Sequence, residues 1–179
     1  LSHAVMVECA NSAEAYDTAL KVVKNALCTA SEDMPCEKCG NCLKIINNSH
    51  TDVKTVSPQG NTKSIKIDDI RFIREDAYII SNEGSYKFYI IADADCLTVQ
   101  AQNALIKILE EPPKKVIFII LCKSSLSLLE TIRSRSQIFG NNGEVINKVD
   151  TKRKNLAESI MRASLKNDKC AVIEFVASV

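Results

Sequence analysis

Residues Gln102 to Pro113, QNALIKILEEPP, read as a helix with a hard stop. Ala101, Ala104, Leu105 and Ile108 recur at helical spacing on one face, Thr98 stands at the N-cap position, and the Pro112-Pro113 pair ends the element. An apolar β-run lies on each side: Tyr86 to Ala92 (YKFYIIA) and Val116 to Cys122 (VIFIILC) are short and rich in β-branched and aromatic residues. Runs of this kind, without polar alternation, are parallel strands buried on both faces. The helix is therefore the crossover of a βαβ unit, and the chain is expected to be α/β.

Composition sets the outer limits. The 179 residues are enough for about one domain with a real core and part of a second. With 46% hydrophobic and 25% charged residues and a net charge of +1, the chain has no field that would draw it as a whole to nucleic acid or membrane. No apolar run approaches the roughly 20 residues of a spanning helix, and no leader pattern precedes the first strand, so a cytoplasmic protein is expected. Leu1 is not Met and the tail Ala171 to Val179 is apolar without an evident packing partner, so the chain reads as an excised piece of a longer protein.

His3 to Cys9 (HAVMVEC) forms a first strand, followed by a turn and a helix from about Ala13 to Cys28, with Tyr16, Leu20, Val23 and Leu27 on its packed face. A nucleotide-binding α/β protein carries its phosphate loop at this junction. Such a loop needs glycines to wrap the phosphates with backbone N–H groups, a lysine for the β- and γ-phosphates, and a hydroxyl for Mg²⁺. Glu8-Cys9-Ala10-Asn11-Ser12-Ala13-Glu14 has neither glycine nor lysine, and places two carboxylates where a triphosphate requires cations. A second part is also missing. A nucleotide hydrolase keeps paired acids at the end of the strand that precedes the crossover helix, one of them for Mg²⁺, and here the first of the two positions is Ala92. Asp93 and Asp95 are read as loop caps and surface charges.

Cys28, Cys36, Cys39 and Cys42 follow the pattern C-x7-C-x2-C-x2-C, with Pro35 and Gly40 available for tight turns. Four thiolates within fifteen residues can close a tetrahedron around structural Zn²⁺, leaving no open position for catalysis. An iron–sulfur cluster is the competing metal reading. Cys9, Cys96, Cys122 and Cys170 lie in or beside apolar segments and read as small packing residues. His50 is close enough in sequence to be a ligand, although four sulfurs suffice, and a turn histidine is the simpler account.

Further along, Cys42 to Asn47 is a short helix, Val53 to Val56 a strand, and Ser57 to Ser64 a loop. Asp68 is expected to cap a helix whose Ile70, Ile73 and Ala77 face inward and whose Arg71, Arg74, Glu75 and Asp76 face water. Asn47-Asn48-Ser49 matches a glycosylation triplet, uninformative beside a thiolate site. Leu128, Leu129 and Ile132 mark a short helix running into Thr131-Ile132-Arg133-Ser134-Arg135-Ser136 and a last strand, Gln137 to Phe139. An arginine at such a helix end is either a surface charge suited to the dipole or a guanidinium placed to reach a neighbouring subunit's phosphate site.

The four-cysteine insertion after the first helix, the NALIKILEEPP stretch and the T-I-R-S-R-S run together resemble the AAA+ domain of the bacterial sliding-clamp loaders, over roughly Ser2 to Phe139. The resemblance implies a P-loop-NTPase-like parallel sheet flanked by helices in residues 1–143, with a zinc knuckle inserted at 28–42. Residues 144–179 would open a helical lid domain, truncated here, for which Leu156, Ile160 and Leu165 give a partial stripe and Lys152 to Lys154 a solvated start. An incomplete lid would leave an apolar face that seeks dimer or packing contacts.

Within that family the absent phosphate loop implies the subunit that does not hydrolyse ATP. Such a chain is an accessory part of the DNA polymerase III assembly, with no ATP of its own and no enzymatic activity alone. The family's Ser-Arg-Cys motif falls on Ser134-Arg135-Ser136, which makes Arg135 the trans-acting arginine finger, assisted by Ser134, with Arg133 the solvated alternative. The implied metal is structural zinc on Cys28, Cys36, Cys39 and Cys42. The implied partners are the gamma/tau-type motor subunits and the delta subunit and, through the complex, the sliding clamp and primed DNA. Two alternatives stay open at this point: an ATP-hydrolysing gamma/tau-type subunit, and a zinc-knuckle nucleic-acid module, the latter disfavoured by the near-neutral charge and 5% aromatic content.

Overall fold

The structure, a computed structural model, describes residues 3–30, 34–59, 63–83 and 86–140. Its sheet has five parallel strands in the order β2-β3-β4-β1-β5. In chain order the elements are β1 (Ala4–Glu8), α1 (Ser12–Leu27), α2 (Gly40–Ile46), β2 (Val53–Val56), α3 (Ile67–Ala77), β3 (Lys87–Ile91), α4 (Val99–Glu110), β4 (Val116–Cys122), α5 (Glu130–Arg135) and β5 (Gln137–Gly140). The βαβ unit is β3-α4-β4, with Lys87 opposite Val116 and Ile91 opposite Ile120.

β4 occupies the centre of the sheet and is buried along its whole length. Phe118 and Ile120 contribute to one core, with Ile70 and Ile73 of α3, Leu105 and Ile108 of α4, and Ile132 of α5. Ile117, Ile119 and Leu121 join the other, with Ala15, Ala19 and Val23 of α1 and Ile45 of α2. Both faces of β4 are thus covered by helices, which is why its sequence is an unbroken apolar run.

α4 is built as its sequence requires. The Thr98 hydroxyl accepts the Ala101 N–H at 3.2 Å, and Ala101, Ala104, Leu105 and Ile108 are all buried. α1 differs from expectation: its most buried line is Ala15, Ala19, Val23 and Leu27, while Tyr16 and Leu20 are only half-buried at its flank. The alanines let the helix axis lie close to the sheet, which pushes the larger neighbours sideways.

Two expectations for α3 need correction. Lys66, not Asp68, is the N-cap residue, and it is the Asp69 carboxylate that accepts the Lys66 N–H, at 2.8 Å. Asp68 lies in the exposed first turn, paired with Arg71. Asp76 does not face water; its side chain is only 15% exposed and accepts from Lys54 Nζ at 2.7 Å, Lys87 Nζ at 3.3 Å and the Tyr89 hydroxyl at 2.5 Å. Helical spacing puts Asp76 off the apolar stripe, but two strand lysines meet it there. Lys87, whose side chain is 4% exposed, depends on that carboxylate and on the Asp76 carbonyl at 3.0 Å for its charge.

The expectations for the lid and for Cys170 concern residues outside those described. Among the described residues no helix is long and apolar enough to cross a membrane.

Candidate functional site

Glu8, Asn11, Ser12, Asp93 and Asp95 gather where β1 and β3 end, beside the end of β4, on the side of a parallel sheet where ligands bind. At the β1–α1 junction, Asn11 is the N-cap, and its side-chain oxygen accepts from the Ala13 N–H at 3.1 Å and the Glu14 N–H at 3.5 Å. These are donors that a phosphate would use, and the chain's own side chain takes them. Ser12 Oγ donates to Asp93 Oδ1 at 2.5 Å, tying the start of α1 to the end of β3. The cavity left between Cys9, Ser12, Ala15, Asp93, Leu121 and Cys122 measures about 10 Å³. That is space for about one water at most.

The acids of this region have structural partners. Glu8 accepts the Ser125 N–H at 3.0 Å. Asp95 accepts the Lys123 N–H at 2.7 Å, the Ser124 N–H at 3.2 Å and the Ser127 hydroxyl at 2.7 Å. Partial burial works against ionisation of Asp95, but these donors outweigh it and hold its carboxyl below the usual carboxylate range. Burial, together with the negative charges of Asp95 and Glu8, pushes the Cys122 thiol up to about 12, so it packs as a neutral thiol. Cys9 and Cys122 are both buried, as their apolar setting predicts, while Cys96 is only partly so.

The carboxylates of Glu8 and Asp95 fix the β4–α5 connection, and Gln102 of α4 completes the job. Gln102 is buried; its Oε1 accepts the N–H of Leu129, the N-cap residue of α5, at 2.9 Å, and its Nε2 donates to the Leu97 carbonyl at 3.3 Å. Ile132 anchors α5 in the core. Ser136 is buried, with its hydroxyl donated to the Ile132 carbonyl at 2.9 Å, so a serine is satisfied at this packed position. Arg135, the last residue of α5, has a side chain 34% exposed and donates to the Thr131 carbonyl at 3.1 Å and to Glu110 at 2.9 Å. Ser134 is exposed beside it. Arg133 is not the solvated residue expected: it is half-buried, and its Nε has no hydrogen-bond partner among the described residues.

The second candidate site is the cysteine insertion. Cys28 closes the C-terminus of α1, Cys39 is the N-cap of α2, and Cys42 lies in the first turn of α2. The four sulfurs of Cys28, Cys36, Cys39 and Cys42 lie within 4.8 Å of one another, with Cys28 to Cys36 at 3.5 Å and Cys28 to Cys39 at 4.0 Å. A tetrahedron with Zn–S bonds of 2.3 Å has sulfurs about 3.8 Å apart, so the quartet fits a four-sulfur ion in both donor type and spacing. The Lys38 and Cys39 N–H groups lower the Cys36 thiol. Burial resists ionisation of Cys39, but N–H groups of Thr29 and Cys42 and the Thr29 hydroxyl bring it down to about 5. Burial raises Cys42. Lys24 pairs with Glu37 at 2.5 Å, and Asn41 donates to the Leu27 carbonyl at 2.7 Å, so the insertion is pinned to α1. His50 is outside the quartet; its Nδ1 accepts the Asp52 N–H at 3.2 Å, which makes it a turn histidine.

Residues 1–142 match the family described as DNA polymerase III, delta subunit. The chain belongs to that family. The DNA polymerase III subunit delta' of Bacillus subtilis is 37% identical over 137 residues, covering 76% of this chain and 41% of that protein. The subunit delta' of Haemophilus influenzae is 34% identical over 137 residues, covering 76% and 42%. The B. subtilis DNA polymerase III subunit tau is 38% identical over 110 residues, covering 62% of this chain and 19% of the other. The chain thus spans about two fifths of the length of the delta' relatives it matches. Among solved structures, a DNA polymerase III gamma subunit-related protein from Thermotoga maritima shares the fold, with a TM-score of 0.61 at 21% identity, covering 94% of this chain and 52% of that one. The AAA+-like parallel sheet expected from the motifs is therefore present, and the delta' resemblance agrees with the DNA polymerase III family.

The motif residues fall into three places about the sheet. The quartet sits at the α1–α2 junction and the Asn11 cap at the C-terminal ends of the strands, whereas Ser134 and Arg135 close α5 at the opposite edge, where β5 begins and α4 ends. Sequence reasoning missed Gln102, which supports α5, and Glu110, which pairs with the Arg135 side chain. Gln102 carried a signal, because it lies one turn before Leu105 and Ile106 on a largely apolar helix face and is a polar residue there.

Proposed function

We propose that this chain is the ATPase-like part of a delta'-type clamp-loader subunit in the bacterial cytoplasm, one that binds no ATP itself and supplies Arg135 to the ATP site of an adjacent motor subunit. Residues 1–143 would be the AAA+ domain and 144–179 the start of the helical lid. The observation that carries the reading is the filled cradle: Asn11 takes the α1 N-terminal donors, and the space beside it is about 10 Å³. A triphosphate would have to displace that cap, and it finds neither glycine nor lysine in the loop and no metal anchor at Ala92. What remains useful is the architecture, which holds Arg135 at the end of a helix fixed by Gln102 and Ile132.

In this role the guanidinium adds positive charge where charge develops on the transferring phosphoryl group of the neighbour. Ser134, exposed beside it, shares that edge of the interface. Cys28, Cys36, Cys39 and Cys42 would hold Zn²⁺, which when bound cross-links the insertion and supplies no catalysis, since all four positions are filled by protein. The implied partners are gamma/tau-type motor subunits and the delta subunit, which together place the sliding clamp on primed DNA.

Equilibrium binding of Mg²⁺-ATP to the isolated chain separates this from the ATP-hydrolysing gamma/tau-type alternative: the expected result is no binding at millimolar nucleotide, and tight binding refutes the reading. In the full-length assembly, Arg135→Ala is expected to slow hydrolysis at the adjacent site on the order of 10³-fold while the fold and metal content persist. Unchanged hydrolysis removes Arg135 from the role.

A further inference from the structure

α4 and α5 end side by side, and their last residues touch. Arg135 Nη2 donates to Glu110 Oε1 at 2.9 Å, and Nη1 donates to the Thr131 carbonyl at 3.1 Å and lies 3.5 Å from Ser134 Oγ. The side chain therefore turns back along its own helix and engages both terminal nitrogens of the guanidinium fork within its own chain. We propose that Glu110 is a positioning residue that parks Arg135, holding the guanidinium against its own domain until a phosphate competes for it. The inference rests on the reading of Arg135 as a trans-acting finger.

Three observations support it. A fork delivered to a phosphoryl group offers Nη1 and Nη2 or Nη and Nε as a bidentate pair, so at least one nitrogen now spent on the chain must be released. A carboxylate within hydrogen-bond distance of that fork would stand next to the incoming polyphosphate as a like charge, so full engagement favours separation of Glu110 from Arg135. The pair is partly solvated, with side chains 34% and 47% exposed, which makes the contact reversible rather than a permanent brace. By contrast, the supports that fix the backbone of α5, Gln102 and Ile132, are buried. The helix is rigid while its terminal side chain has two places to go.

The size of the effect follows from the exposure. Partly exposed pairs bias an equilibrium by roughly 1.4- to fivefold, so releasing the latch raises the fraction of free guanidinium by up to about fivefold. Neutralising Glu110 should speed the step that the finger assists by that factor.

The test uses the full-length protein assembled with its motor subunits, and single-turnover hydrolysis of ATP as the readout. Glu110→Gln is expected to raise the rate by up to about fivefold, with the gain shrinking at high salt as the wild-type pair is screened. Glu111→Gln, which removes the same charge one residue away, is expected to match wild type. In the Arg135→Ala background Glu110→Gln is expected to have no further effect, since a latch without its arginine does nothing. A Glu110→Gln rate at or below wild type, in an assembly where Arg135→Ala abolishes the stimulation, overturns the parking role and leaves the finger intact. An Arg135→Ala assembly that hydrolyses normally overturns the finger reading and this inference with it.

Discussion

Replacing Gln102 with leucine tests whether α5 is held by one buried side chain. Gln102 spans from the Leu97 carbonyl, at 3.3 Å, to the Leu129 N–H, at 2.9 Å, and is 6% exposed. Leucine keeps the bulk and removes both partners. Each buried group left without a hydrogen bond costs about 1–3 kcal/mol, and the extra apolar surface of leucine returns part of that, so a net loss of about 2–4 kcal/mol is expected. In a domain of this size that lowers Tm by roughly 4 to 16 °C. Urea unfolding followed by circular dichroism measures it, with the midpoint falling and the m value unchanged. Gln100→Leu, on the exposed side of the same helix, is the control and is expected to stay within about 0.5 kcal/mol of wild type. If Gln102→Leu also stays within that range, the bridge does not hold α5, and the rigidity attributed to the Arg135 terminus is wrong.

Elemental analysis of the purified protein is expected to give one zinc per chain and no visible absorbance, and Cys42→Ser to lose the metal and destabilise the insertion; a coloured, iron-containing protein would favour the cluster alternative. Asp76→Asn strips Lys87 of its counter-charge and is expected to cost about 3–5 kcal/mol by thermal or urea unfolding. Although burial opposes its ionisation, Lys54, Tyr89 and Lys87 hold the Asp76 carboxyl below its ordinary value of 3.8, so its contribution is present above that pH and is lost as pH falls through the lower folded value. The acid limb of the stability profile should flatten in Asp76→Asn, and an unchanged limb would argue against the charge network. Asn11→Ala removes the α1 cap and is expected to cost about 1 kcal/mol without conferring ATP binding, checked by unfolding and by calorimetric titration with Mg²⁺-ATP.

Much of the fold could be read from local pattern. β3, α4 and β4 were legible because α4 carries its cap, its apolar stripe and its proline stop within a few residues, and because the flanking strands are long enough in apolar character to exclude an exposed face. The quartet was legible because ligand spacing is itself local: Cys28 and Cys39 are the cap residues of the two helices that bracket the insertion. Asp76 was misread because a helical wheel sees only its own helix, and the two lysines that bury it arrive from β2 and β3. Arg133 was expected in solvent from its position at a helix end, but the folded chain half-buries it. The Asp68 cap failed on a smaller matter, as Asp69 two positions inside the helix had the better geometry to accept the Lys66 N–H.

Residue type and spacing already fix a parallel α/β chain with a four-cysteine insertion and a β1–α1 junction that has neither glycine nor lysine. Those are properties of residue type and spacing, which folding does not change. Which groups cap the start of α1 and which hold Arg135 emerges only when the chain is folded. Asn11 caps the donors, Ser12 reaches Asp93, Gln102 bridges Leu97 to Leu129, and Glu110 meets Arg135 across 25 positions of sequence. Most of these are contacts between residues distant in the chain, each set by where strand ends and helix termini converge, and periodicity carries no information about which polar groups will meet there.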